Sequence, residues 1–339
     1  MPEAPRRILV CRIDNLGDVL MVFPALRWLK TQHPALRIEM VVREYARSLT
    51  ERCPWVDRVW APEELVRAIA SGEPAPDAVF HLQSTRELLR ACARWRVPVR
   101  VGNLLRSAHW LHCNRWVMFS KRHMQEHESA IAWRFFGAVF TPRLAPPEWS
   151  TWLQQDGWLT HKQPMPAPAS QPGRLRVLIH PGSNGNGRQW PLPHYAQLVQ
   201  WLHERGHAVA ITGAPAERAA LQDWLACLPM GVENLVGRHS LTEFIDIIAQ
   251  ADCLVASGTG PLHVAGATGV HAVGIFPPRT PIGALRWRPI GPHVTTLQAS
   301  EPATCRRTCS NLDCTCMTAV APADVLAAVL QPPEIKPGG

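Results

Sequence analysis

The sequence contains no run of about 18 apolar residues, so we expect no segment of it to span a membrane. No secretory leader is recognisable either, because Arg12 and Asp14 interrupt the first apolar run after a few residues. These two absences predict a cytoplasmic protein. The 339 residues exceed the size at which a single hydrophobic core stops growing, so we expect two domains.

Acidic side chains are scarce in one part of the first half. Residues 1–170 contain 23 Lys and Arg against 16 Asp and Glu, whereas residues 171–339 contain 12 against 11. Residues 86–122 contain nine basic side chains and one acid, with three tryptophans among them. This composition favours an anionic partner, and a solvated basic face is the alternative. No recognised nucleic-acid-binding module is present, so we expect no nucleic-acid partner.

The ten cysteines include none of the usual zinc-finger spacings. Four of them follow the pattern C-x3-C-x4-C-x-C, which could hold zinc but is not a usual zinc knuckle. Free thiols are the default in a reducing cytoplasm, with a metal site or a disulfide as the alternative. The four are Cys305, Cys309, Cys314 and Cys316.

The segment HKQPMPAPASQPGR, residues 161–174, is rich in proline and is typical of a linker between domains. We predict an N-terminal domain over residues 1–165, a linker over 166–174, a C-terminal domain over 175–331 that includes the four cysteines, and a tail over 332–339. Strands alternate with helices in both halves, without an internal repeat. The fold class is therefore predicted to be α/β with mostly parallel sheets.

The second half has the clearer pattern. RVLIH, HAVAITG, CLVAS and HAVGIF predict strands, while LPHYAQLVQWLHERG and LHVAGAT predict helices that end at Gly206 and Gly269. Ser240 and Glu243 form a capping box at the start of another helix.

Unusual polar loops follow several of the predicted strands. Ligands of parallel sheets bind beyond the carboxyl ends of the strands, and with two such domains we expect these ends to face each other across a cleft. The loops are residues 14–18, 181–191, 213–217 and 257–261.

The segment ILVCRIDNLGDVLMVFPALRWLK, residues 8–30, predicts a strand that leads into a helix through a short turn. Asp18 is placed as the N-cap, whose carboxylate would accept orphan backbone N–H groups, and Gly17 would supply an unusual backbone angle. General-base chemistry is the other interpretation of Asp18. Asp14 is interpreted as a loop acid without an assigned role.

Two glycine-containing loops in the second half predict a diphosphate site. In HPGSNGNGRQWP the glycines let backbone N–H groups approach an anion, Ser183 can donate a hydrogen bond and Arg188 can pair with phosphate oxygens. The loop is not a Walker A motif, because no Gly-Lys-Ser/Thr occurs. In SGTGPLH, Thr259 and the N–H groups around Gly260 open a helix whose dipole favours negative charge.

Two further residues have open alternatives. Glu217 follows a predicted strand at a helix start, where it either complements the helix dipole or accepts hydrogen bonds from ribose hydroxyls. His263 either faces the diphosphate or is a structural histidine.

Four blocks of the chain, in this order and spacing, resemble glycosyltransferase family 9, the heptosyltransferases of lipopolysaccharide core assembly. They are RIDNLGDVLMVFPALRWLK, HPGS…GRQWPLPHYAQLVQWLHERG, ITGAPAE and SLTEFIDIIAQADCLVASGTGPLHVAGATGV. The resemblance implies a GT-B fold of two Rossmann-like domains, with the acceptor bound by the first and the sugar nucleotide by the second. It also implies inversion at the anomeric carbon without a metal or other cofactor.

Position by position, the resemblance implies that Asp18 is the general base and that ADP-heptose is the donor. The acceptor would be an anionic lipopolysaccharide core bound by the basic stretch 86–122. The acidic inner leaflet of the inner membrane would attract the same residues. The implied donor-binding residues are Gly182, Ser183, Arg188, Glu217, Thr259, Gly260 and His263. The acceptor-binding candidates are Arg86, Arg90, Arg94 and Arg106.

Gly258 departs from the family pattern, which usually has Asp at this position of the donor site. We predict an inverting sugar transferase with heptose as the expected sugar. A non-catalytic sugar-nucleotide-binding protein and an epimerase-like enzyme are the alternatives, although an epimerase would have no purpose for a base at Asp18. Arg188, where the family usually has Lys, is a smaller change, since both side chains can hold a diphosphate.

Overall fold

The computed structural model describes residues 5–120, 126–140, 159, 173–183, 187–279, 281–299 and 315–333. The chain divides into two compact units, residues 1–149 and 150–339. Most of the proline-rich segment 161–174 lies outside the described residues, so the domain boundary within it stays a prediction.

The first unit contains one parallel sheet. Its strands are β1 (Arg7–Arg12), β2 (Arg37–Val41), β3 (Arg58–Trp60), β4 (Ala78–Gln83), β5 (Val99–Asn103) and β6 (Arg115–Val117). They are hydrogen-bonded in the order β3-β2-β1-β4-β5-β6, and every neighbouring pair is parallel. Ile8, Leu9 and Val10 of β1 are fully buried, as expected for an inner strand of a parallel sheet.

Short helices connect these strands. They are α1 (Leu16–Leu20), α2 (Phe23–Gln32), α3 (Arg47–Thr50), α4 (Pro62–Ala70), α5 (Arg86–Arg94), α6 (Ser107–Trp110) and α7 (Ala130–Phe136), with a 3-10 turn over Glu44–Ala46.

The second unit contains another parallel sheet. Its strands are β7 (Arg176–His180), β8 (Ala208–Ile211), β9 (Glu233–Asn234), β10 (Cys253–Ser257), β11 (His271–Phe276) and β12 (Val294–Gln298), in the order β12-β11-β10-β7-β8-β9. Because β7 lies between β10 and β8 and all three are parallel, the loops that follow them meet at one edge. Three of the loops predicted to bind a ligand are therefore neighbours.

The helices of the second unit complete the α/β pattern. They are α8 (Leu192–Glu204), α9 (Arg218–Ala226), α10 (Leu241–Ala249), α11 (Gly260–Thr268), α12 (Ala284–Trp287), α13 (Thr315–Thr318) and α14 (Pro322–Leu330), with a 3-10 turn over Pro215–Glu217.

The predicted ends of helices in the second half are confirmed. Beyond the end of α8 Gly206 has a φ of 80°, and Gly269 after α11 has a φ of 84°, values that glycine adopts without a steric penalty. The capping box of α10 is also present, with the Glu243 carboxylate accepting from the Ser240 N–H at 2.8 Å and Ser240 Oγ accepting from the Glu243 N–H at 3.3 Å.

The prediction for the first turn is wrong in two details. The helix α1 begins at Leu16 after the extended Asn15, so Asp18 lies within the first helical turn and is not the N-cap. Gly17 belongs to the same helix and is not among the described residues with a positive φ. A second helix, α2, starts at Phe23 next to Pro24, because proline is tolerated in the first turn of a helix and not in its interior.

Within the described part of the chain, no helix combines the length and the apolar composition that crossing a bilayer requires.

Candidate active site

A buried ion cluster lies at the carboxyl end of β1. The Arg12 side chain is 1% exposed, and its Nη2 donates to Asp18 Oδ1 at 2.6 Å and to Glu128 Oε1 at 2.9 Å. Its Nε lies 2.9 Å from Asp14 Oδ1, an ion pair without hydrogen-bond geometry. One guanidinium therefore holds three carboxylates, and we call these four residues the Arg12 cluster.

The charge of Arg12 is secured by this arrangement. Burial alone would lower its pKa, but the attraction of Asp14, Asp18 and Glu128 outweighs burial and raises the pKa above the ordinary value. Arg12 consequently stays protonated and fixes the orientation of the Asp18 carboxylate. The Asp18 side chain is 12% exposed, whereas that of Glu128 is fully enclosed, so of these two carboxylates only Asp18 can meet a substrate.

Two more side chains approach the Arg12 cluster. The Tyr45 hydroxyl donates to the Asp14 carbonyl oxygen at 2.9 Å, and its pKa is raised by burial and by the charges of Asp14 and Asp18. Arg106 Nη1 donates to Gln83 Oε1 at 2.6 Å. Burial lowers the pKa of Arg106 and the Asp14 charge opposes this shift, so Arg106 lies within electrostatic range of the Arg12 cluster.

The other three acceptor candidates lie on α5. Arg86, Arg90 and Arg94 are exposed and spaced by four residues, so they share one helix face. Arg86 opens the helix beside the carboxyl end of β4, whereas Arg94 is roughly 12 Å further along the axis. Their role stays a prediction, and the geometry favours Arg86 and Arg106, which lie at the edge that carries Asp18.

In the second unit, the loop after β7 is hydrogen-bonded to the end of β10. The backbone N–H of Trp190 donates to Ser257 Oγ at 3.1 Å, and the buried Trp190 indole donates to the Val320 carbonyl at 2.9 Å. Ser183 Oγ donates to the Gly187 carbonyl at 3.1 Å, so this hydroxyl closes its own loop. Residues 184–186 of the loop lie outside the described residues.

Thr259 precedes α11 and has an unusual hydroxyl. The residue is 8% exposed, and among the residues that the structure describes its Oγ1 has no hydrogen-bond partner and does not cap α11. Buried polar groups are nearly always hydrogen-bonded, so this hydroxyl is available to donate to a ligand at the N-terminus of α11. The helix dipole and the first N–H groups of α11 make an anion the expected ligand.

Glu217 lies against the same edge. Its Oε2 accepts from the Ala214 N–H at 2.8 Å, a capping contact of the 3-10 turn, and a Cβ on Gly182 would overlap the Glu217 carboxylate. The ribose role of Glu217 stays a prediction. Because only glycine leaves room at position 182, the glycine is required to keep the carboxylate beside the loop after β7.

The remaining donor candidates lie in the first turn of α11 and in the loop after β7. His263 is buried in the first turn of α11, with its ring centroid 6.3 Å from that of Trp287. Gly260 is the first residue of α11, and Arg188 is half-buried in the loop after β7. Their roles in binding a donor stay predictions.

Gly258 has a structural explanation in Phe276. A Cβ on Gly258 would lie 2.7 Å from Cε1 of Phe276, and a Cβ on Gly274 would lie 2.6 Å from its Cε2. The fully buried Phe276 ring thus fills the space between Gly258, directly after β10, and Gly274 on the neighbouring strand β11. A side chain at position 258 would need space that this ring occupies, so the ring would have to shift.

We expect Gly258→Asp to lower the free energy of unfolding by about 1–3 kcal/mol, because the new side chain must displace a buried ring. Gly258→Asp combined with Phe276→Ala should lose less than the sum of the two single variants. Urea unfolding of the four proteins measures this coupling. Strict additivity would show that Phe276 does not restrict position 258.

His180, the last residue of β7, is held neutral beside the same loops. Its Nδ1 lies 2.9 Å from Thr212 Oγ1, and burial lowers its pKa to about 4, although the Glu217 charge opposes the shift. The His180 imidazole therefore binds a proton near pH 6.5 in the unfolded chain, but only near pH 4 in the folded chain. Stability from this group is complete above pH 6.5 and is lost as the pH falls towards 4.

We expect His180→Asn to reduce the loss of stability between pH 7 and pH 4.5, because asparagine has no proton to gain, while the other buried histidines keep their share of the loss. Urea midpoints measured across this range test the prediction, with the exposed His239→Asn as the matched control. A wild-type pH dependence in the His180 variant would contradict it.

The cysteine cluster falls mostly outside the described residues. Cys305, Cys309 and Cys314 are not described, and Cys316 is buried in α13, so the prediction of free thiols, with a metal site or a disulfide as the alternative, stays untested. Within the described residues, no three His, Cys, Asp or Glu side chains are grouped as metal ligands.

Sequence reasoning missed four residues of these sites. Arg12 had a local signal, since it is a cation at the end of an apolar strand with two acids directly after it. Glu128 had none, because it lies 116 residues from Arg12. Tyr45 and Phe276 lie beside the sites only because of the strand order of their sheets, which the sequence pattern does not give.

The two parallel α/β sheets define the class as a GT-B fold, which the solved relatives share. E. coli ADP-heptose lps heptosyltransferase II superimposes with a TM-score of 0.70 at 20% identity, covering 96% of this chain and 98% of that one. A sequence profile described as glycosyltransferase family 9 (heptosyltransferase) matches residues 96–315. The chain belongs to this family and is a glycosyltransferase.

Two relatives agree with this assignment along most of the chain. Lipooligosaccharide heptosyltransferase 2 of Haemophilus influenzae is 23% identical over 303 residues, which cover 81% of this chain and 84% of the relative. Lipopolysaccharide heptosyltransferase 2 of Salmonella typhimurium is 25% identical over 299 residues, with the same two coverages of 81% and 84%.

Proposed function

We propose that this glycosyltransferase moves heptose from ADP-heptose to a lipopolysaccharide core acceptor with inversion at the anomeric carbon. The family supports the reaction type, and the names of the relatives support heptose and a lipopolysaccharide acceptor. The name of the solved E. coli relative supports ADP-heptose as the donor.

The observation that carries the donor site is the orphaned Thr259 hydroxyl at the N-terminus of α11. A diphosphate placed there would accept hydrogen bonds from the Thr259 hydroxyl and from the backbone N–H groups that begin at Gly260. Arg188 would supply positive charge from the neighbouring loop, and Glu217 would accept from ribose hydroxyls. These groups bind the leaving ADP and so favour departure of the diphosphate.

Asp18 is proposed as the general base. As the acceptor hydroxyl oxygen attacks the anomeric carbon, its proton passes to the Asp18 carboxylate, and the bond from the anomeric carbon to the diphosphate oxygen breaks with its electron pair leaving on ADP. Arg12 binds Oδ1 at 2.6 Å, so we assign Oδ2 to the hydroxyl proton. Arg12 and Glu128 act through Asp18 as positioning residues.

The acceptor is proposed to be anionic because basic side chains surround the Asp18 edge. Arg106 and Arg86 are the candidates at that edge, and residues 86–122 have a single acid. An acceptor of the lipopolysaccharide core would bring the enzyme to the inner leaflet of the inner membrane as a peripheral protein, as proposed from the sequence.

Transfer by the purified protein tests this function. A panel of ADP-, GDP- and UDP-sugars that includes ADP-heptose is offered with a deacylated, keto-acid-containing core oligosaccharide, and the product anomer is read by NMR. We expect transfer from ADP-heptose alone, with inversion. Arg188→Gln should weaken ADP binding, whereas the exposed Arg238→Gln is the matched control in the same unit.

Two outcomes would reject the proposal. ADP binding without transfer from any sugar nucleotide would favour the sugar-nucleotide-binding alternative. Transfer of a sugar other than heptose would keep the enzyme class and reject the donor, and the filled space at Gly258 would be the first place to seek the cause.

A further inference from the structure

Exposed large apolar side chains are concentrated in one segment of the first unit. In the described part of the chain there are ten, and six of them lie within residues 104–118. Leu111 is 85% exposed and Met118 is 68% exposed. The six are Leu104, Leu105, Trp110, Leu111, Trp116 and Met118, and we call residues 104–118 the apolar segment.

The apolar segment is held in one conformation by its own hydrogen bonds. The Trp110 indole donates to the Leu104 carbonyl at 2.6 Å, and the Leu104 N–H donates to the Val117 carbonyl at 3.0 Å. His109 of α6 packs against Gly102 of β5, where a Cβ would overlap the His109 ring. Trp110 and Leu111 are therefore presented to solvent by a fixed scaffold, so their exposure is built into the fold.

The charge of the apolar segment identifies what covers it. It contains no Asp or Glu, while Arg115 is exposed and Arg106 is half-buried. Tryptophan, leucine and basic side chains without acids match the boundary between anionic headgroups and acyl chains, where indoles and cations both have favourable partners. We propose that the apolar segment inserts into the surface of an anionic phospholipid bilayer.

The position of this surface agrees with the proposed reaction, on which this part of the inference rests. Leu104 and Met118 follow β5 and β6 at the carboxyl edge of the sheet, the edge that also carries Asp18. The strand β6 is three places from β1, or roughly 14 Å at the usual strand spacing. Insertion at Leu104 and Met118 would therefore hold Asp18 near the plane in which a lipid-anchored acceptor presents its sugars.

Sedimentation of the full-length protein with lipid vesicles tests the inference. Vesicles of phosphatidylethanolamine with phosphatidylglycerol should carry the wild-type protein down, and vesicles of phosphatidylcholine alone should carry much less. Leu111→Ser with Met118→Ser should lower the partition coefficient at least about tenfold, because two apolar side chains lose their burial in lipid. Arg115→Gln should lower it about fivefold on the anionic vesicles.

The matched control is Met230→Ser with Leu285→Ser, which removes two exposed apolar side chains from the second unit and should leave vesicle binding unchanged. The inference is overturned if wild-type protein does not bind anionic vesicles or if both double variants bind equally. It is also overturned if the Leu111 and Met118 changes convert a dimer to a monomer, since a second copy would then be the occupant.

Enzyme activity separates this inference from the proposed function. The Leu111 and Met118 double variant should transfer to a water-soluble deacylated acceptor at the wild-type rate and lose transfer to an acceptor embedded in vesicles. Normal vesicle binding without any transfer would reject the proposed reaction and leave the bilayer surface supported.

Discussion

Asp18→Asn should reduce kcat by about 10²- to 10⁴-fold, the usual contribution of a general base, while ADP binding is retained. The amide oxygen of asparagine can still accept the Arg12 hydrogen bond, so the Arg12 cluster loses one charge and keeps its arrangement. What is lost is the group that accepts the hydroxyl proton. Steady-state transfer from ADP-heptose, with ADP binding measured by calorimetry on the same sample, tests this prediction.

Asp14→Asn is the matched control for Asp18. Asp14 lies just before α1 and Asp18 lies in its first turn, both carboxylates pair with Arg12, and their side chains are 18% and 12% exposed. If Asp18 is the base, Asp14→Asn should keep most of the activity. Equal losses in the two variants would show that the Arg12 cluster acts through its total charge and that neither carboxylate is the base.

Arg12→Met should destabilise the protein by about 3–5 kcal/mol, the usual cost of removing one partner from a buried ion pair. The Glu128 side chain is 0% exposed, so its buried charge would lose the ion pair with Arg12. The loss should be visible as a lower urea midpoint for the transition that includes the first unit. Because two units can unfold separately, the transition is assigned by hydrogen exchange at β1.

Arg134→Met provides the comparison for a solvent-exposed pair. Arg134 and Glu126 lie 2.5 Å apart, but their side chains are 42% and 49% exposed, so the loss should be about 1 kcal/mol or less. Adding Glu128→Gln to Arg12→Met should recover part of the stability, because it removes a buried charge that has lost its ion pair with Arg12. Equal losses in the two arginine variants would contradict a buried role for Arg12.

Local chemistry was sufficient to predict several elements, and it selected the loops of the candidate sites. Periodicity and capping residues predicted the helix closed by Gly206 and the capping box of Ser240 and Glu243, because these depend on neighbours within four residues. The rule that ligands bind beyond the carboxyl ends of parallel strands selected the loops around Ser183 and Thr259.

The tertiary structure decided which side chains meet. The local pattern places Asp18 as an N-cap, whereas in the fold α1 begins at Leu16 and the Asp18 carboxylate pairs with Arg12. Glu128 completes the Arg12 cluster from 116 residues away, and no local pattern encodes that distance.

Gly258 shows the same difference between what the sequence determines and what the tertiary structure decides. The sequence by itself determined that the position lacks a side chain, and family comparison made that absence notable. Only the pairing of β10 with β11 showed that the Phe276 ring fills the space. Backbone propensities act over a few residues and are readable along the chain, but the packing of side chains depends on which strands become neighbours, and this is decided only when the whole sheet assembles.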